Sequence, residues 1–84
     1  MTKYPIEIQK DIYSRILENM DRYRQWSAVT NPDWISRAVH YLSSATCLLE
    51  YLENVTVFHV GGGFNRQYGI SLEKRIESFS HLKS

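Results

Sequence analysis

The stretch NPDWISRAVHYLSSATCLLEYLEN, residues 31–54, decides the fold of this chain. It opens with Asn31, a favourable helix cap, and with Pro32, whose fixed φ suits the first helical position. Thr30 with Asp33 offers a second cap, since Thr-x-x-Asp resembles a capping box. Apolar residues then recur in two heptad rows: Ile35, Leu42 and Leu49 in one, and Ala38, Ala45 and Leu52 in the other. This spacing predicts a long helix with a continuous apolar side.

The predicted helix is poor in charge. Within residues 34–49 the only charged side chain is Arg37, with His40 as a second cation when it is protonated. A helix of this kind is covered on more than one side, either by its own chain or by another one. Five small residues, 43–47, form a waist at which a neighbouring helix can pack closely, unless large side chains of the preceding helix fill the space.

An amphipathic helix precedes this segment, from about residue 5 to about residue 27. Ile8, Ile12, Ile16, Met20 and Tyr23 form its apolar stripe. The link to the next helix is short, so the two helices are expected to be antiparallel neighbours. Ile16 and Leu42 are central in their stripes, and we expect both to be buried between these helices.

The segment after residue 54 has two interpretations. Four of the six residues 55–60 are β-branched, which favours a strand, although the spacing also allows the second helix to continue to the glycines at 61–63. Residues 64–68 alternate in polarity and would then return as the second strand. The sequence therefore predicts a possible small β-hairpin around residues 55–68.

A last helix is expected from Leu72 to about Lys83, with Ser71 as its cap. Its apolar stripe consists of Leu72, Ile76, Phe79 and Leu82. The expected fold class is mainly α: an antiparallel helical hairpin plus a third short helix, forming a single domain over residues 1–84.

Composition narrows the classes of function. A chain of 84 residues buries only about 60–65% of its unfolded surface, and its one cysteine, Cys47, excludes an intrachain disulfide. Oligomerisation is then the remaining common source of added stability. A net charge of +1 makes nucleic acid an unlikely partner. The charged N-terminus and the absence of a long apolar run predict a cytoplasmic protein without a membrane span.

The glycine-rich loop is the first candidate for a ligand site, because backbone amides in such loops can hold phosphate. A dinucleotide fingerprint counted from the first glycine would require glycine where Arg66 stands, and no Gly-Lys-Ser/Thr triplet completes a P-loop. An arginine among aromatics is also typical of single-strand binders. The alternative function is therefore nucleotide or single-stranded nucleic-acid binding by Gly61, Gly62, Gly63, Phe64, Arg66 and Tyr68.

Residues suited to catalysis or metal binding are dispersed. His40 and Cys47 lie about 10.5 Å apart along the helix, too far to share a metal without another segment. We interpret Cys47 as a small buried apolar residue. No nucleophile–base pair or carboxylate pair can be identified, so the sequence predicts a non-enzymatic protein without cofactor or metal.

The preferred hypothesis is a protein-interaction module, regulatory, inhibitory or accessory, that binds another protein, itself or both, with a homodimer as the expected assembly. Its partner-binding residues are expected to be Arg37, Tyr41, Ser44, Leu48 and Tyr51, together with Trp34. An exposed row of this composition would form an apolar patch of the sort that marks an interface. The competing interpretation is that the last helix and the β-hairpin cover the row within one chain.

Overall fold

The computed structural model describes residues 4–28, 33–55 and 66–83, and for Trp34 it describes the backbone alone. In these ranges the chain is mainly α. The elements are α1 (Ile6–Ser27), α2 (Trp34–Glu53), α3 (Arg66–Glu77) and a short 3₁₀ helix, η1 (Ser80–Leu82). None of the described helices is long and apolar enough to cross a membrane.

The first two helices form the predicted antiparallel hairpin. Tyr4, just before α1, contacts Tyr51 near the end of α2, with 6.3 Å between ring centroids. At the other end, the Arg37 guanidinium lies 5.4 Å from the centroid of the Trp26 ring. Contacts that join the start of one helix to the end of the other fix the antiparallel arrangement.

A single apolar cluster joins the three helices and η1. Ile16 and Leu42 are 0% and 1% exposed, which confirms their predicted burial. The cluster consists of Tyr13, Ile16, Met20, Leu42, Ala45, Leu49, Leu52, Leu72, Ile76 and Leu82. Most of the predicted stripes therefore do form the core.

Ile35 is an exception in the heptad rows. It was expected beside Leu42 and Leu49, yet it is 56% exposed, so this prediction is wrong. Side chains of α3 bond to α2 at Thr46 and Glu53, both in the second half of the helix. Ile35, in the first turn, points in the direction of the core but lies beyond the part of α2 to which α3 bonds.

The two ends of α2 differ from each other. Asp33 precedes the first helical residue in a right-handed conformation and makes no side-chain capping bond, while the predicted cap residues 30–31 lie outside the described residues. Asn54 ends the helix in the left-handed conformation, with φ 56° and ψ 43°. The Val55 N–H donates to the Glu50 carbonyl over 3.2 Å, as at a Schellman-type helix end. This turn stops α2 before the glycines.

The third helix begins earlier than predicted. Residues 66–68 are helical rather than a returning strand, so the β-hairpin prediction is wrong there, and residues 56–65 lie outside the described part of the chain. Ser71 lies inside α3 and does not cap it. Tyr68 stands four residues before Leu72 and extends the apolar stripe by one turn, which favours this earlier start.

Three side-chain contacts hold α3 against the hairpin. The Thr46 and Tyr68 hydroxyls lie 2.9 Å apart, and Arg24 Nε donates to Glu73 Oε1 over 3.2 Å. Arg75 pairs with Glu53 through two hydrogen bonds, one of them 3.2 Å from Nε to Oε2. The hydrogen bond to Glu53 raises the pKa of Arg75, although partial burial of the guanidinium opposes the rise.

Candidate interaction face on the second helix

One side of α2 faces away from α3. Side chains of α3 bond to α2 at Thr46 and Glu53. Ser44 and Tyr51 each precede one of these positions by two residues, a rotation of about 200° around the helix axis. The predicted row on this side consists of Arg37, Tyr41, Ser44, Leu48 and Tyr51, and we call it the outward row. The described part of α3 does not cover it.

The outward row is exposed at its two ends and half-buried in between. Tyr51 is 55% exposed, and Arg37 is exposed as well. Tyr41, Ser44 and Leu48 are half-buried, and Leu48 also packs against the core cluster. Leu48 thus joins the row to the core, while Arg37 and Tyr51 leave it open to solvent.

Aromatic residues from the ends of α1 flank the row. At its start the cation of Arg37 lies over the Trp26 ring, a cation–π geometry that holds the long side chain against the surface. At its end Tyr4 meets Tyr51 edge to face, with an interplanar angle of 79°. At both ends of the row, an aromatic contact therefore holds a partly apolar side chain in place.

The middle of the row is small, and the hydroxyl of Ser44 is satisfied. Ser44 Oγ donates to the His40 carbonyl over 3.0 Å, as the sequence predicts for serine in a helix. The His40 and Tyr41 rings lie 5.2 Å apart, at 71° to each other. Because Ser44 already has a partner, another surface can cover it without leaving a polar group unsatisfied.

Cys47 is exposed, which corrects its expected burial. It projects between the outward row and the α3 side of α2, where the described residues leave it open to solvent. It lines a cleft of about 400 Å³ together with Tyr4, Glu50, Tyr51, Asn54 and Val55. The cleft continues the outward row towards the end of α2.

Some predicted site residues lie outside the description. The side chain of Trp34 and the whole of residues 61–64 belong to the part that the structure leaves undescribed, so their roles stay predictions.

Arg66 is exposed and lines an open cavity of about 340 Å³ beside Gly69. Arg66 and Tyr68 are two residues apart in a helix and so project from opposite sides of it. Tyr68 therefore does not lie beside Arg66, and its hydroxyl bonds to that of Thr46. The alternation expected of a strand would have placed them together.

Tyr4 and Trp26 are contact residues that the sequence analysis did not assign to this face. An antiparallel pairing of α1 with α2 would have indicated both, since it puts each end of α1 beside the opposite end of α2. A metal site is a separate question. Among the described residues no group of three His, Cys, Asp or Glu side chains is placed to hold a metal ion.

Comparison with known proteins assigns no relatives: no protein-family model, curated protein or solved structure matches this chain. Any proposal about function therefore depends on the chemistry of the outward row itself.

Proposed function

We propose that this protein is a non-enzymatic, cytoplasmic interaction module of a regulatory or accessory kind, and that it associates with itself through the outward row of α2. The observation that supports the proposal is the combination of exposed tyrosine and almost no charge on a side of α2 that α3 leaves uncovered. A surface of this composition is favourable to bury and carries few charges to desolvate.

Several features of the row fit a protein partner better than a small ligand. Tyr51, Arg37 and Trp26 belong to the three residue types that most often dominate binding energy at protein interfaces. Arg37 and Tyr51 lie about 21 Å apart along α2, and Trp26 lies on α1 beside Arg37, so the three side chains are not gathered in one cavity. An elongated, open arrangement of this kind suits the surface of another protein better than a small ligand, which is usually bound in a concave pocket.

Replacing Ser44 by Arg tests the proposal, because a long charged side chain at the middle of the row prevents close approach of a second surface. We expect Ser44→Arg to stay folded, with an unchanged helical circular-dichroism spectrum, and to lose the dimer by light scattering. The matched control is Ser14→Arg, at an exposed serine of α1, which should leave the mass unchanged. A folded Ser44→Arg variant that retains the wild-type dimer mass would refute the assignment of this face.

A further inference from the structure

The outward row is nearly symmetric about Ser44. Arg37 precedes this residue by seven positions and Tyr51 follows it by seven. Seven residues span about 10.5 Å of helix, so the cationic end and the aromatic end lie about 21 Å apart. We infer that the occupant of this face is a second copy of the chain, and this inference rests on the proposed self-association. The α2 helices of the two copies pack antiparallel and cross at Ser44.

Charge decides the orientation. In a parallel pair, each residue of the row would meet its own copy, and the two Arg37 side chains would face each other. The acid nearest to Arg37 in sequence is Asp33, one turn earlier, and no acid lies within residues 34–49. In an antiparallel pair the two guanidinium groups are about 21 Å apart, well beyond the screening length of about 8 Å at physiological ionic strength. Antiparallel packing therefore keeps the two Arg37 cations apart.

The antiparallel pair also matches unlike groups. A two-fold axis through Ser44 places each Arg37 opposite Tyr51 of the second copy, where cation and ring attract each other. Tyr51 is 55% exposed despite its contact with Tyr4, so it retains an accessible surface for this contact. The cationic end of one row thus meets the aromatic end of the other twice, once at each end of the interface.

The crossing point is sterically suited to close contact. Ser44 meets Ser44 of the second copy on the axis, and each hydroxyl is already bonded to the His40 carbonyl of its own helix at 3.0 Å. Helices with small residues at the crossing can approach to about 8 Å between axes. Leu48 and Tyr41, half-buried on the flank of the row, would close the contact on one side.

Disulfide trapping tests the orientation. In chains that carry Cys47→Ser, Arg37→Cys is mixed with Tyr51→Cys and oxidised, and the three disulfide products are separated by intact mass. A disulfide needs Cα atoms within about 7 Å, which only the mixed pair satisfies in the antiparallel dimer. The mixed product should exceed either homodisulfide about tenfold, given the millimolar effective concentration within a dimer. A dominant Tyr51→Cys homodisulfide, formed between two chains that both keep Arg37, would overturn the orientation.

A double-mutant cycle on the dimer dissociation constant supplies a readout without cross-linking. Arg37→Gln and Tyr51→Leu should each weaken the wild-type dimer severalfold, and the double variant should be weakened less than the product of the two effects. Within one chain the two positions are about 21 Å apart, so coupling can arise only across the interface. Independent effects would contradict the antiparallel pair. A wild-type chain that stays monomeric would instead refute the proposed function itself.

Discussion

At the scale of single residues, Gly69 is a position that packing constrains closely. A Cβ atom at this glycine would lie 2.7 Å from Tyr23 Oη and 3.1 Å from Cζ. Glycine inside a helix costs about 1 kcal/mol relative to alanine, so the helix alone would favour a side chain here. The close approach of the Tyr23 ring, which packs against the core cluster, explains why α3 tolerates glycine at this point.

We expect Gly69→Ala to destabilise the protein by about 1 kcal/mol, because the clash with the Tyr23 ring outweighs the gain in helix propensity. In a Tyr23→Ala background the clash is absent, and the same substitution should stabilise by up to about 1 kcal/mol. Urea unfolding of the four chains measures both effects. Stabilisation in the wild-type background would show that the ring moves aside freely and that the close approach imposes no constraint.

The core prediction concerns Ile16 and Leu42. Replacing either by alanine should lower the free energy of unfolding by about 2–4 kcal/mol, because each is fully enclosed. Ile35→Ala is the matched control, since Ile35 belongs to the same heptad row but is 56% exposed. It should change stability by less than about 0.5 kcal/mol in the same urea titration. An equal loss at all three positions would contradict the observed burial.

The sequence could predict which side of each helix is buried, but not how exposed each residue on that side is. Periodicity tells which side of a helix is apolar, and it identified Leu42, Leu49 and Ile16 for that reason. It does not tell how far the neighbouring helix extends along that side, which decides the exposure of Ile35. Cys47 was misassigned because residue type was used instead of its angular position, which faces away from the core.

At the scale of elements, both helices of the hairpin could be predicted because their patterns are long and their link is short. The start of α3 could not. The choice of Ser71 as the cap left Gly69 outside the helix, whereas the close approach of Gly69 to Tyr23 is a tertiary feature that no local pattern reports. Once Gly69 is accepted inside a helix, Tyr68 joins the stripe of Leu72, and the strand interpretation of residues 66–68 disappears.

The docking of α3 provides a test at this scale. Thr46 is fully buried, and its hydroxyl bonds both to the Leu42 carbonyl and to the Tyr68 hydroxyl, each over 2.9 Å. Thr46→Val keeps the shape but removes these bonds, so it should cost about 1 kcal/mol. Combining it with Tyr68→Phe should cost about 1 kcal/mol less than the sum of the two single changes, measured by urea unfolding. Additive losses would mean that the two hydroxyls do not interact in solution.

At the scale of the whole molecule, α3 covers one side of the hairpin and the outward row remains on another. The sequence alone indicated the members of this row from spacing and low charge, but it left open whether the last helix covers them. The bonds at Thr46 and Glu53 answer that question for the described part of α3. The placement of Tyr4, just before α1, beside this row required the antiparallel geometry.

Self-association through the row is the central claim, and the mass of the protein in solution tests it most directly. Sedimentation velocity on the unmodified, reduced chain from about 1 to about 100 µM spans affinities typical of small homodimers. The proposed interface predicts that the mass rises with concentration from the monomer value of 9.9 kDa towards twice that value. A mass that stays at 9.9 kDa across the whole range would contradict the account.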